Sequence, residues 1–383
     1  MPRHEPVRIL VDAITLRPGH TGGAERFARE LFRRLEADDS LELRYVSQIR
    51  PEDFCEEYGV ADPNRVVPTP ARIQTMAGFL LGKAYLRRLA RRPHVDLLWS
   101  PFTQPALTRG VPEVLMVHDT AVDFYRGHAA SLGVAAFEGA SFRLRWARIR
   151  RGVRHARAVV VPSESVRRAL ERSLGRPLPN VHVIPEGGDS ASARAAPLWQ
   201  AGASREPLVL TISSSRPHKN LDLIARIALQ PSIVEARVRF LTVGIELGSL
   251  NGTLPPNVEV RSGVSDGELG RLMASAACLL SPSLFEGFGL PIAEAMHIGL
   301  PVVVSDIDAH REVTGGEAAF FPSHDPAAAA AAVVRLVTDP AHAGAVSKRL
   351  RARALGQSWD RTAEAHARLF REVAGTRHLR ETG

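Results

Sequence analysis

Cysteine is almost missing from this chain. Among 383 residues there are only Cys55, in an acidic polar stretch, and Cys278, in an apolar run, with no CxxC pair and no Cys/His spacing. A disulfide framework and a structural zinc site are both excluded by that count. Lysine is nearly as scarce, confined to Lys83, Lys219 and Lys348, so the formal charge of +8 is carried by arginine. There is no run of ~20 apolar residues to span a bilayer, and Met1-Pro-Arg-His-Glu-Pro6 has no apolar signal core, so a cytoplasmic location is expected. No GxGxxG follows a strand-like run, which argues against a nicotinamide dehydrogenase. Collagen, coiled-coil and low-complexity patterns are absent, and the alanine-rich stretch 326–334 reads as a helix.

What is present is an ordinary globular composition, 45% hydrophobic and 23% charged, over a length that suits two domains and two cores. Apolar runs alternate with helical periodicity. Strands are expected at Val7–Asp12, Leu41–Val46, Val95–Trp99, Glu113–Val117, Ala158–Pro162 and Val181–Ile184, and again at Pro207–Ile212, Arg239–Val243, Val258–Val260, Cys278–Leu280, Pro301–Val304 and Ala318–Phe321. Helices are expected between them, among them 73–89 and the arginine-rich 137–156. Alternation of this kind, twice over, implies two doubly wound parallel sheets. A segment rich in small and polar residues ends the first half. The boundaries are therefore 1–190 for the N-terminal domain, 191–206 for a linker and 207–357 for the C-terminal domain, with a last helix, 358–383, that has no strand after it.

The most informative stretch is Ser281-Pro-Ser-Leu-Phe-Glu286-Gly-Phe-Gly-Leu-Pro291-Ile-Ala-Glu294. It reads as strand, Gly-rich loop and helix, with Pro291 in the first helical turn, Glu286 in the loop and Glu294 about one turn inside. A helix N-terminus attracts anions, whereas a carboxylate repels them, so the two glutamates suit neutral hydroxyls beside a bound phosphate. A ligand with both is a sugar nucleotide. Its diphosphate needs fixed cations, and Arg216-Pro-His-Lys219 on the loop after 207–212 supplies a guanidinium and an ammonium. Gly22-Gly23 opens a helix after the first strand, and His118-Asp119 lies at the carboxyl end of another, the edge where open α/β sheets bind ligands. Asp306-Ile-Asp308 invites a metal reading, but short acidic patterns are common and the Arg216/Lys219 clamp already supplies charge, so no metal is expected.

With an E-x7-E pair at Glu286 and Glu294, the stretch 281–301 resembles the signature of the retaining GT-B glycosyltransferases of family 4. Arg216-Pro-His-Lys219-Asn220-Leu221, the block 263–269, Ser305 to Thr314 and Ser358-Trp359 resemble that family's other blocks in order. The resemblance implies two Rossmann-like domains facing a cleft, the C-terminal one binding the donor, the N-terminal one the acceptor, with the final helix crossing back to the first domain. It implies that Arg216 and Lys219 hold the diphosphate, Glu294 the ribose hydroxyls and Glu286 the sugar hydroxyls. Backbone N–H groups of Phe288, Gly289 and Leu290 would meet sugar and phosphate, and Gly263 and Val264 the base. Gly22 and Gly23 would close over the donor, His118 would lie near the reacting sugar, and Asp119 would touch the acceptor.

The implied reaction is metal-free hexose transfer with retention, from a nucleotide diphosphate sugar to a glycan or lipid-linked acceptor, with mannose from GDP-mannose the first choice and rhamnosyl or glucosyl donors or a 2-epimerase as alternatives. The wording of the blocks is similar to bacterial mannosyl- and rhamnosyltransferases of polysaccharide and O-antigen assembly. No cofactor and no nucleic acid is expected. The arginine clusters 83–92 and 143–157 could attract an anionic membrane surface. One departure stands out: Pro185-Glu186-Gly-Gly188-Asp189 replaces the family's frequent Pro-Asn-Gly-Val-Asp.

Overall fold

The structure, a computed structural model, describes residues 5–17, 22–70, 76–128, 140–200, 207–245 and 254–381. Residues 73–75 and 137–139 of two expected helices, and 201–206 of the expected linker, lie outside them. The chain divides into two compact units, the first holding the N-terminal half to Pro185 together with Asp360 onward, the second holding Glu186–Trp359.

The first unit is built on seven parallel strands: β1 (Val7–Asp12), β2 (Leu41–Ser47), β3 (Val66–Pro68), β4 (Leu97–Ser100), β5 (Glu113–Met116), β6 (Ala158–Val161) and β7 (Val181–Val183), in the order β3-β2-β1-β4-β5-β6-β7. The second has six: β8 (Leu208–Ile212), β9 (Arg239–Val243), β10 (Val258–Arg261), β11 (Cys278–Ser281), β12 (Val302–Ser305) and β13 (Ala319–Phe321), in the order β10-β9-β8-β11-β12-β13. The strand runs are short and continuously apolar because a parallel sheet is covered by helices on both faces: all four residues of β6 and of β12 are buried. Among the elements with no counterpart in the expected set are β3 and the helix Pro51–Tyr58.

Helix Met76–Ala90 buries Leu86, Leu89 and Ala90 against Leu10 and Leu98, and helix Ala140–His155 buries Trp146, Ile149 and Val153 against Val159, Val161 and Leu170. Each such side chain stabilises the fold by about 1.5–3 kcal/mol, which holds the arginine-rich faces outward. Ser163 caps helix Glu164–Leu174, its hydroxyl accepting from the Val166 N–H at 3.2 Å. In the last helix, Trp359–Glu381, Phe370 packs on Trp99 with centroids 5.1 Å apart, and His366 lies 6.2 Å from Phe27. Residues 191–200 carry a short helix, Ala191–Ala195, and are part of the second unit, held there through Trp199, whose N–H donates to the Ile298 carbonyl and whose Nε1 donates to that of Ala276.

The segment 186–189 is pinned. The Gly188 N–H donates to the Gln357 carbonyl at 3.1 Å, the Trp359 N–H donates to Asp189 Oδ1 at 2.7 Å, and a Cβ on Gly188 would sit 2.4 Å from the Ala293 carbonyl oxygen. Backbone packed that closely admits only glycine, which accounts for the second glycine of this variant turn.

Candidate functional site

In the second sheet the winding reverses between β8 and β11, which pair directly (Cys278 opposite Val209, Leu279 opposite Leu210). The carboxyl ends at such a reversal are where open α/β sheets bind ligands. The 213–219 loop carries Arg216 and Lys219, and the 282–289 loop carries Glu286.

Pro217 starts a single 3-10 turn, Pro217–Lys219, and Asn220 closes it in the left-handed region at φ 54°. The Asn220 amide nitrogen then donates to the Pro282 carbonyl at 3.1 Å and to that of Ser323 at 3.0 Å, and the Leu284 N–H donates to the His218 carbonyl at 2.8 Å. Loops from β8, β11 and β13 are tied together by these bonds. Lys219 is held where its Nζ donates to Glu286 Oε1 at 2.6 Å, and Ser283 Oγ donates to the same oxygen at 2.7 Å. Burial works to raise the Glu286 pKa, but the Lys219 ammonium, the His310 ring and the hydrogen bonds from Lys219 and Ser283 hold it down at about 2. Glu286 is thus an anion across the physiological range, able to accept hydrogen bonds and unsuited to donating a proton. Arg216, at the other end of the turn, is exposed and has no side-chain partner among the described residues.

After Glu286 the chain bends at Gly289, whose φ of 102° suits glycine alone, and enters helix Leu290–Ile298 with Pro291 in its first turn. The first N–H groups of a helix are unpaired within it, so Phe288, Gly289 and Leu290 bring anion-attracting backbone to the edge that bears Glu286. Glu294 lies inside this helix and is fully buried, with none of its side chain open to solvent. Gly263 and Val264 follow β10 at the sheet's margin, two strands away from β8, leading into helix Asp266–Ser275 capped by Ser265.

Sequence reasoning missed four residues of this site. Ser283, Ser305, Asn220 and His310 act through contacts between strands far apart in sequence. Asp306, by contrast, is forked by Arg311 at 2.5 and 2.6 Å, and among the described residues no trio of His, Cys, Asp and Glu converges as a metal site.

The remaining expected residues lie on the first unit. Gly22 precedes and Gly23 begins helix Gly23–Glu36. His118, just past β5, packs edge-on against Phe27 at 4.7 Å, with Nε2 2.8 Å from the Pro101 carbonyl and its N–H donating to Thr103 Oγ1 at 3.1 Å. Thr103 has φ 44°, a conformation uncommon for a β-branched residue, and its backbone is held by a bond to the Met116 carbonyl. Asp119 accepts the Ala121 N–H at 2.9 Å and so anchors the start of helix Ala121–His128. Beneath this edge Lys83 is fully buried, paired with Asp12, and donates to the Gln104 carbonyl at 2.7 Å. Glu113 accepts Ser100 Oγ at 2.7 Å and the Ala106 N–H at 2.8 Å, securing the loop after β4.

Residues 21–192 match Glycosyltransferase Family 4, and residues 206–339 match Glycosyl transferases group 1. The chain thus carries a glycosyltransferase family 4 domain followed by a glycosyl transferases group 1 domain. Its two parallel sheets have the GT-B form, and the solved sucrose-phosphate synthase of Thermosynechococcus elongatus superimposes with a TM-score of 0.72 at 18% identity, over 97% of this chain and 100% of that one. A D-inositol 3-phosphate glycosyltransferase of Kineococcus radiotolerans is 28% identical over 259 residues, 59% of each chain. An Escherichia coli O-antigen chain mannosyltransferase B is 32% identical over 173 residues, 42% of this chain and 43% of the relative. The chain thus spans about half of the length of these curated relatives.

Proposed function

We propose that this chain transfers a hexose, with retention at the anomeric carbon, from a nucleotide diphosphate sugar to a hydroxyl of a glycan or lipid-linked acceptor. The observation that carries the reading is the Lys219–Glu286 pair past the carboxyl ends of β8 and β11, followed directly by a helix N-terminus. Lys219 and Arg216 supply the positive charge for the diphosphate without a metal ion, and the N–H groups of Phe288, Gly289 and Leu290 add to it. Glu286, ionised, accepts hydroxyls of the sugar, and Gly263 and Val264 border the base; Glu294, expected at the ribose, is closed to solvent and is assigned no ligand contact.

In the transfer, the bond between the anomeric carbon and the diphosphate oxygen breaks while the acceptor oxygen bonds to the same face of that carbon. The acceptor's proton passes to the departing phosphate, so the second unit provides positioning and charge stabilisation rather than a second carboxylate. The acceptor is assigned to the first unit, with His118 near the reacting sugar, Gly22 and Gly23 bordering the donor, and Asp119 on the acceptor side.

GDP-mannose is the proposed donor, supported by the mannosyl activity in the name of the Escherichia coli relative and by the wording of the 216–220 and 308–313 blocks. A thermal-shift series over GDP, UDP, dTDP and ADP sugars tests this: stabilisation by GDP-mannose above the others is expected, and preference for another base overturns the donor while keeping the reaction. Release of a free epimer in place of a transfer product would identify a 2-epimerase.

The acceptor reading extends to an anionic membrane surface. Among the described residues no helix is long and apolar enough to cross a membrane. On helices Met76–Ala90 and Ala140–His155, however, Leu80 is 47%, Leu81 59% and Leu144 59% exposed, beside Arg88, Arg143 and Arg145. Exposed leucines among arginines suit the headgroup layer of an acidic bilayer. Flotation with phosphatidylglycerol vesicles, lost in 1 M salt and in a Leu81→Ser/Leu144→Ser variant, is the expected result; no flotation at low salt contradicts it.

A further inference from the structure

Helix Asp308–Thr314 follows β12 and carries His310, which is completely buried. Its Nδ1 lies 2.8 Å from the Ser305 carbonyl oxygen and 3.2 Å from Ser305 Oγ, and its Nε2 lies 3.4 Å from Ser281 Oγ. A carbonyl only accepts, so the Nδ1 position carries the hydrogen and Nε2 keeps its lone pair toward Ser281. Ser305 Oγ in turn donates to the Ser283 carbonyl, and Ser283 Oγ donates to the Glu286 oxygen that also takes Lys219. His310 therefore touches the last residues of two neighbouring strands, β11 and β12, and through them the turn on which Glu286 rides. Thr314 Oγ1 donates to the His310 carbonyl at 2.7 Å, which fixes the histidine's own backbone from the other side.

A buried site of this size would accept an apolar side chain for packing alone. The imidazole instead makes polar contacts through both ring nitrogens, to Ser305 and to Ser281, and Glu286 and Lys219 are the charged groups that act on it. We propose that His310 is a positioning residue for the Glu286–Lys219 pair, holding Ser281 and Ser305 so that the 281–286 turn presents the carboxylate to the donor sugar in one orientation. It does not touch substrate itself. The assignment of the pair to a donor sugar rests on the transferase reading above; the bracing of the pair does not.

The test uses the full chain with three variants: His310→Leu, which keeps the volume and removes both polar contacts; His310→Asn, which can still donate to the Ser305 carbonyl; and Ser281→Ala, which removes only the hydroxyl opposite Nε2 and is expected to fold. Carbon-13 NMR of labelled glutamate follows the Glu286 carboxyl without ligand, and steady-state kinetics with the preferred sugar nucleotide give kcat and donor KM. His310→Leu is expected to raise the Glu286 pKa by about one unit and to lower kcat about tenfold with donor KM changed less than about twofold. Ser281→Ala moves both in the same direction by less, and His310→Asn recovers part of the loss.

A folded His310→Leu or Ser281→Ala protein with wild-type Glu286 titration and wild-type kcat overturns the proposal. If the wild type uses no sugar nucleotide while Glu286 still shifts in His310→Leu, the transferase reading falls and the bracing stands. Turnover by the wild type with an unmoved Glu286 in both variants gives the reverse.

Discussion

Replacing Lys219 by Met removes the ammonium from Glu286 while keeping a long side chain in place. The folded protein holds Glu286 at about 2, and its side chain is only 12% exposed, so solvent does little to replace the lost partner. With an unfolded glutamate pKa of about 4.3, a depression of roughly two units at about 1.4 kcal/mol per unit gives about 3 kcal/mol of stability at pH 7. That agrees with the 3–5 kcal/mol typical of stripping one partner from a buried pair. The sign is set by the depressed pKa: the stabilisation is present above the unfolded value and is lost as the pH falls toward 2. Lys219→Met should therefore unfold in urea with about 3 kcal/mol less stability than wild type at pH 7, and with about half that deficit at pH 3. Its Glu286 carboxyl, no longer held down by the ammonium, should titrate back in the ordinary carboxylate range. A deficit under about 1 kcal/mol at pH 7, with an unmoved carboxyl, would refute the claim that Lys219 sets the charge state of Glu286.

Other perturbations probe the frame around the site. Gly244 follows β9 at φ 91°, and a Cβ there would sit 2.5 Å from the Ser213 carbonyl oxygen, so Gly244→Ala should cost about 1–3 kcal/mol in chemical denaturation and disturb the 213–219 loop. Lys83→Met leaves the buried Asp12 carboxylate without its partner and should destabilise by about 3–5 kcal/mol, most of it restored when Asp12→Leu is added. His366 is buried and its pKa is pushed down to about 4, so its neutral form stabilises fully above about pH 6.5 and loses up to roughly 3 kcal/mol as the pH falls toward 4. His366→Phe should remove that segment of acid sensitivity from the melting-temperature profile; an unchanged profile would count against it.

The sheets were legible because parallel strands buried on both faces leave unbroken apolar runs such as Ala158–Val161 and Val302–Val304. β3 was not, since three residues ending in Pro68 offer no periodicity and gain their strand form only from pairing with Tyr45–Ser47. Helix Pro51–Tyr58 was hidden in the same way: its apolar signal is just Phe54 and Tyr58, both buried against Phe32. Lys219 and Glu286 could be singled out because each sits in a small-residue loop after a strand, and the β8/β11 adjacency joins them. His310 could not, because its partners Ser281 and Ser305 are brought to it by the pairing of β11 with β12. The full burial of Glu294 was equally invisible, since the eight-residue spacing from Glu286 sets its place along the helix but not how much covers it. The Lys83–Asp12 pair spans 71 positions of sequence and had no local signal at all.

The central claim is that the Arg216, Lys219 and Glu286 constellation transfers a hexose with retention. Incubating the full chain with GDP-mannose and a polyprenyl-linked glycan acceptor, and reading the anomeric signal of the product by proton NMR, tests it most directly. An α-mannosyl product with stoichiometric GDP release, reduced about a hundredfold or more in Lys219→Met, is the predicted result. A product of inverted configuration, or full activity in Lys219→Met, would contradict it.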